Sequence, residues 1–134
     1  MRIARRTTGV VALALAAVAC GGEDNNAPNP PAPVPIAEVS IIFGSFVSVK
    51  NATSNPAIDT IPAGSKVRWT WVNPGPVGTH NIRPTLGSPN FPGSADLSGT
   101  GTTFTTTFTT PGTYDYECTL HVVAFGMRGR VVVQ

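Results

Sequence analysis

The chain has 134 residues, and nine Lys and Arg against seven Asp and Glu give it a formal net charge of +2 at pH 7. The first 19 residues hold three of the arginines and no acid, so the rest of the chain carries six basic and seven acidic side chains, a net charge of −1. No cluster of Lys or Arg remains there, which argues against nucleic acid as a partner.

The N-terminus has the features of an export signal. Three arginines lie within the first six residues, and Val10–Ala19 follows as an apolar stretch that ends in small residues directly before Cys20. This stretch is about half as long as the roughly 20 residues that a membrane-spanning helix needs. We therefore predict that residues 1–19 are a signal peptide and that the protein is extracytoplasmic.

Cys20 and the two glycines after it resemble the lipidation site of a bacterial lipoprotein. In that interpretation Cys20 carries a lipid that anchors the protein to a membrane. Two alternatives stay open: ordinary cleavage before Cys20, since Ala17 stands where such signals usually have Leu, and twin-arginine export directed by Arg5 and Arg6. We prefer the lipoprotein, because a spare exposed thiol is a liability in an oxidising compartment.

Residues 20–35 consist mostly of Gly, Asn, Pro and acidic residues with almost nothing to bury. They are predicted to form a flexible linker that its prolines partly extend. Residues 36–134 are long enough for one domain with a single hydrophobic core.

Alternating apolar residues predict strands throughout this domain. From Val39 to Val49 the odd positions are apolar apart from Ser45, with an interruption expected at Gly44. Clusters of Pro, Gly and Asn separate the runs, and no stretch keeps a helical apolar period over three turns. The sequence thus predicts an all-β fold, a two-sheet antiparallel Greek-key sandwich. The further strands are predicted at Val67–Val72, Thr103–Phe108, Thr113–Cys118 and Arg130–Val133.

Side chains that bind soft metals cluster near the C-terminus. Cys118, His121 and Met127 lie within ten positions of one another, and the other histidine of the chain, His80, follows a predicted strand and a proline turn. Cys118 shares a strand face with Tyr116, so its sulfur should point into the end of the sandwich. If the strands before His80 and Cys118 reach the same end, one sulfur and two imidazoles can converge there.

The ligand types indicate copper. Two imidazoles, a thiolate and a thioether match the His₂Cys set with a weak axial Met of blue-copper electron-transfer sites. Zinc gains little from a thioether, and an iron–sulfur cluster needs more thiolates than the domain has. Each residue alone could instead be structural, the Cys and Met as core residues. The spacing Cys-x₂-His-x₅-Met favours a joint role in binding one type 1 copper ion.

That spacing belongs to a longer resemblance. The segment PGTYDYECTLHVVAFGMRGRVVV is similar to the closing pattern of the cupredoxin family, in particular of small plastocyanin-like and halocyanin-like blue copper proteins. IPAGSKVRWTWVN resembles the strand that leads to the first histidine of the family, and THNI carries that histidine. The resemblance covers nearly all of residues 36–134 and implies a cupredoxin-like fold.

The resemblance implies a role for particular residues. It makes His80, Cys118, His121 and Met127 the copper ligands, and it makes Asn81 the residue that hydrogen-bonds the thiolate and ties the two ligand-bearing loops together. Five residues separate His121 from Met127 here, whereas plastocyanin-like chains usually have one fewer. We expect this difference to affect the distance from Met127 to copper, and with it the potential, rather than the fold.

The resemblance also implies a function. The protein is expected to be a monomeric one-electron carrier in an extracytoplasmic electron-transfer chain, with transient redox proteins as partners, and not an enzyme. Enzymes that reuse this fold with additional copper centres need more than the two histidines present. Two other functions stay open: copper binding or handling without a redox partner, and a β-sandwich adhesion module in which Cys and His are incidental.

Apolar residues near His121 predict a docking surface. We expect an apolar collar around the exposed edge of this ring, in the class of small transient interfaces that bury less than about 1,200 Å². The alternative is that the same residues pack beneath the loop. The collar residues would be Val122 or Val123, Phe125, and Pro74, Pro76 or Val77.

Overall fold

The structure, a computed structural model, describes residues 34, 36–76 and 78–134. The predicted signal peptide, the lipidation site Cys20 and the linker except for Val34 therefore lie outside the described residues. The same is true of Val77 in the predicted collar. These predictions stay predictions.

The described part of the chain forms eight strands and one helical turn, as the sequence pattern predicts for an all-β domain. Among these residues, no helix has the length and apolar character needed to cross a bilayer. The elements are β1 (Ile36–Ile42), β2 (Ser45–Ser48), β3 (Ala57–Ile61), β4 (Ser65–Asn73), β5 (Arg83–Pro84), β6 (Thr103–Phe108), β7 (Gly112–Glu117), α1 (Val122–Phe125) and β8 (Arg128–Val133).

The strands form two four-stranded sheets, in the orders β2-β1-β4-β6 and β3-β8-β7-β5. The predicted two-sheet sandwich is confirmed, but its sheets are mixed rather than purely antiparallel. β1 pairs with β4 in parallel, and β3 pairs with β8 in parallel. The physical reason is the crossover: after the β1–β2 hairpin the chain moves to the other sheet for β3 before returning as β4, and such a connection allows parallel pairing.

The first apolar run is two strands rather than one. Phe43 and Gly44 form a two-residue turn, with Gly44 at φ 66°. Ile41 pairs with Phe46 across this antiparallel hairpin, so both side chains point into the core. The interruption expected at Gly44 is therefore confirmed as a turn, which reverses the phase of the alternation beyond it and leaves Phe43 exposed.

β3 was absent from the predicted strands because a buried acid interrupts its apolar pattern. Asp59 is only 1% exposed, and Ser48 Oγ donates a hydrogen bond to its Oδ1 at 2.7 Å. Burial raises the pKa of Asp59, while the Ser48 hydrogen bond and the charge of Lys50 act in the opposite direction. Since β2 and β3 are edge strands of opposite sheets, this bond closes one side of the sandwich.

Large aromatic side chains join the two sheets beneath the site described next. Trp69 from one sheet meets Tyr116 from the other edge-on, with ring centroids 5.3 Å apart. Phe46 meets the same tyrosine at 5.1 Å. All three rings are fully buried, and burying each contributes about 2–3 kcal/mol. Tyr116 is two residues before Cys118, so this contact holds the strand that carries the sulfur.

Candidate metal centre

Three of the predicted ligands meet at one end of the sandwich. The ligand atoms of His80, Cys118 and His121 all lie within 4.8 Å of one another. Cys118 Sγ is 3.9 Å from His80 Nδ1 and 3.4 Å from His121 Nδ1. The strands before His80 and Cys118 thus reach the same end, a condition that could not be decided from the sequence.

His80 is fixed in both position and tautomer. Its backbone NH donates to Leu97 O and its carbonyl accepts from Leu97 N, both at 2.9 Å. The fully buried ring has Nε2 3.3 Å from Pro74 O, so Nε2 carries the proton and Nδ1 presents a lone pair towards the sulfur. Burial lowers the pKa of His80, opposed by the Pro74 hydrogen bond and assisted by repulsion from His121. The imidazole is therefore neutral and able to bind a metal.

Cys118 organises the loop that follows it. The second ligand loop, residues 119–126, turns back immediately, because Cys118 O accepts hydrogen bonds from His121 N at 3.0 Å and Val122 N at 2.8 Å. This turn places the His121 ring beside the sulfur of the same strand end. Cys118 is fully buried, whereas His121 is only partly buried.

Met127 lies directly across from Cys118. Cys118 N donates to Met127 O at 3.1 Å, and this bond extends the β7–β8 ladder by one step beyond the pair Glu117 and Arg128. Residues opposite each other on antiparallel strands point to the same face. Both Cys118 and Met127 are fully buried, so the thioether and the thiolate occupy the same interior end of the sandwich.

Four of the five residues between His121 and Met127 form the helical turn α1. A helix of four residues is too short to show an apolar period in the sequence, so the sequence pattern did not predict α1. Gly126 ends the turn in the left-handed conformation at φ 64°, and its NH donates to Val122 O at 3.0 Å. The loop thus coils back at α1 before it reaches Met127, opposite Cys118.

The Asn81 side chain ties the two ligand-bearing loops together through Thr119, as the resemblance implies. Its Oδ1 accepts from Thr119 N at 2.9 Å, and its Nδ2 donates to Thr119 Oγ1 and Asp96 Oδ1, both at 2.8 Å. These two oxygens take up both amide protons. The expected hydrogen bond from Asn81 to the thiolate stays a prediction, since the backbone NH of Asn81 is a further donor.

The predicted collar is partly correct. Val123 and Phe125 are exposed, at 97% and 40%, whereas Pro74 is buried and acts through its carbonyl on His80. The prediction did not include Phe43, whose ring centroid lies 5.3 Å from that of Phe125. The Phe125 centroid is in turn 5.8 Å from that of His121. Only the turn at Phe43–Gly44 brings this distant residue here, so no local pattern signals it.

The donor geometry fits one metal ion. With metal–nitrogen and metal–sulfur bonds of about 2.0 and 2.3 Å, the two sulfur–nitrogen separations of 3.4 and 3.9 Å would correspond to angles of roughly 100–130° at a shared ion. Two imidazoles, a cysteine sulfur and a neighbouring thioether form a soft donor set that suits copper better than zinc.

A two-sheet sandwich with a buried Cys between two His at one end defines the cupredoxins, the small blue copper proteins. A model of copper binding proteins of the plastocyanin/azurin family matches residues 52–134. The chain belongs to this family, and its cofactor is copper.

Solved structures support the same assignment. A purple cupredoxin from Nitrosopumilus maritimus is 27% identical, with 73% of this chain and 99% of that chain covered and a TM-score of 0.55. An oxidized plastocyanin from Dryopteris crassirhizoma is 26% identical, with 73% and 100% covered and a TM-score of 0.54. The described domain therefore spans essentially the whole of both relatives.

Proposed function

We propose that this blue copper protein is a one-electron carrier in an extracytoplasmic electron-transfer chain, with His80, Cys118, His121 and Met127 as the copper ligands. The observation that carries the proposal is the position of the buried Cys118 sulfur, which lies 3.4 Å from His121 Nδ1 and 3.9 Å from His80 Nδ1. Of these two histidine rings, that of His121 reaches the surface. Bound copper supplies one-electron chemistry by alternating between Cu(II) and Cu(I).

A carrier works best when its ligands barely move between the two oxidation states, and here the protein holds them without help from the metal. Cys118 and Met127 are bonded backbone to backbone, His80 is bridged to Leu97, and Asn81 joins both loops. The buried end also excludes water from the sulfur. These contacts favour fast electron exchange over loose storage of copper.

The two histidines have different access to solvent. His80 is fully buried, whereas His121 is partly exposed and lies beside the exposed ring of Phe125. We propose that redox partners dock transiently on this surface, the His121 patch, which consists of Phe43, Leu120, Val123 and Phe125. The exposed side chains of the patch carry no charge, so a partner would make apolar contact there. Such contact would bring the partner close to His121, the histidine that reaches the surface.

A charge in this patch should slow electron exchange. We expect Val123→Glu to lower the electron self-exchange rate about tenfold, because two copies that meet through the patch would bury opposed carboxylates. NMR line broadening of mixed oxidised and reduced protein measures this rate. Val49→Glu is the matched control, since Val49 is 60% exposed beside Glu38, away from the ligand end. Equal rates for the two variants would refute docking at the His121 patch.

A lipid anchor at Cys20, in the proposed extracytoplasmic location, would attach to the domain through the start of β1. β1 begins at Ile36 beside Lys66, near the start of β4, and both strands run towards the copper end. The nine residues of β4 correspond to about 30 Å. A tether attached at Ile36 would leave the opposite end, with the His121 patch, free for partners.

We further propose that the protein acts as a monomer and is not an enzyme. The chain contains two histidines in total, and the copper site uses both. Additional copper centres of the kind that support oxidase or reductase chemistry need histidines of their own.

Adding Cu(II) to the purified domain tests the proposed function. We expect one equivalent to produce an intense thiolate charge-transfer band that a one-electron reductant bleaches and an oxidant restores. Loose binding without this band would favour copper handling instead. No binding would leave an adhesion module, and either result would overturn the carrier proposal.

A further inference from the structure

The second ligand loop has little means of holding its own shape. α1 is four residues long, buries none of its side chains and has no side-chain cap at its N-terminus. Helices this short are unstable by themselves. The loop nevertheless connects two copper ligands, His121 and Met127, so contacts from outside must determine its position.

One such contact is the Asn55 side chain, which lies 70 residues away along the chain. Asn55 Nδ2 donates to Phe125 O at 3.2 Å. Carbonyls in the last turn of a helix have no partner within the helix, and this bond supplies one. Among the described residues, this is the one side-chain hydrogen bond between α1 and the rest of the domain.

Asn55 is itself held firmly. The two protons of its Nδ2 are shared among Phe125 O and two acceptors in the β1–β2 hairpin, Gly44 O at 3.0 Å and Ser45 Oγ at 3.2 Å, and its Oδ1 accepts from Phe46 N at 3.2 Å. The preceding residue, Ser54, is bridged to Val47. Asn55 therefore links the β1–β2 turn to α1 through one planar amide.

The β1–β2 turn completes the contact from the other side. Phe125 packs so closely over Gly44 that a Cβ at Gly44 would lie 2.8 Å from Phe125 Cγ. The Phe43 ring then lies against the Phe125 ring. The carbonyl of Phe125 is thus bonded by Asn55 while its ring is held by the turn that Asn55 also bonds.

We propose that Asn55 is a positioning residue for the copper site: it fixes α1, and through α1 the placement of Met127 relative to Cys118. Its effect on the copper rests on the proposed function, whereas its effect on the loop does not need copper. An asparagine suits this position because its backbone has φ 39°, a region that Asn and Gly tolerate better than other residues.

Asn55→Gly tests this role without adding charge or backbone strain. In the metal-free protein, we expect hydrogen exchange at the Phe125 and Gly126 amides to become at least about tenfold faster, because these amides close α1. In the copper-loaded protein, the thiolate charge-transfer band and the reduction potential should both shift.

Asn51→Gly is the matched control. Asn51 lies in the same turn and bonds Ile58 O and Thr53 N, not α1. It should lower stability without changing the exchange of the two α1 amides, the band or the potential. If Asn55→Gly does not fold, Asn55→Asp keeps the acceptor for Phe46 N and replaces the donors by a carboxylate oxygen, which the carbonyls of Gly44 and Phe125 repel, and the same results are expected. Exchange rates at Phe125 and Gly126 within about twofold of wild type in a folded Asn55 variant would overturn the proposal, even if copper binds as proposed.

Discussion

Replacing Cys118 by Ser should abolish the intense visible band of the copper-loaded protein and weaken copper binding by at least about 100-fold. The thiolate is the soft, covalent ligand of the site, and a serine hydroxyl stays protonated and binds copper poorly. Absorption spectroscopy and competition with a chelator of known affinity measure the two effects.

The fold should survive this change. Serine is close to cysteine in size, and the backbone bonds of Cys118 to Met127, His121 and Val122 do not involve the sulfur. We expect circular dichroism and the melting temperature of the metal-free variant to stay close to those of the wild type. A variant that keeps the band would show that the sulfur of Cys118 is not a ligand, and the proposed site would be wrong.

Replacing Gly129 by Ala should destabilise the domain by about 3 kcal/mol or more. A Cβ at this position would lie 2.1 Å from Tyr116 Cζ and 2.3 Å from its hydroxyl, so the buried ring would have to move. Tyr116 also packs against Trp69 and Phe46, and all three rings would be displaced together. Urea unfolding of the metal-free protein measures the loss.

Gly126→Ala is the control that separates packing from backbone strain. Gly126 has φ 64°, but a Cβ added there would meet no atom within 4 Å, so alanine should cost only about 1 kcal/mol. Gly129 does not have a positive φ, and its cost comes from the Tyr116 contact alone. Equal losses for the two variants would contradict this explanation.

Local patterns predicted most of the strands because strand residues alternate between core and solvent with a period of two. β4 shows this clearly, since Val67, Trp69 and Trp71 are all fully buried. The alternating pattern failed to predict the structure where a turn or a buried polar residue interrupted it. The turn at Gly44 reversed the phase of the first run, and the buried Asp59 concealed β3.

The pairing of strands could not be read from the same patterns. An alternating strand buries one face equally well beside a parallel or an antiparallel neighbour, so β1 and β3 carried no signal of their parallel partners. The sequence pattern gave no indication of the role of Asn55 either. A polar residue in a turn becomes informative only when Phe125 O, 70 positions away, lies within hydrogen-bonding distance.

The sequence by itself determined the chemistry of the centre. One cysteine in the domain, two histidines and a methionine at a characteristic spacing leave few metals other than copper, because ligand softness belongs to the side chains and not to their arrangement. Only the tertiary structure decided that His80 meets Cys118 across 38 positions of chain, that His121 rather than His80 reaches the surface, and that α1 forms between His121 and Met127. These features depend on contacts between distant segments, and such contacts exist only once the two sheets have packed together.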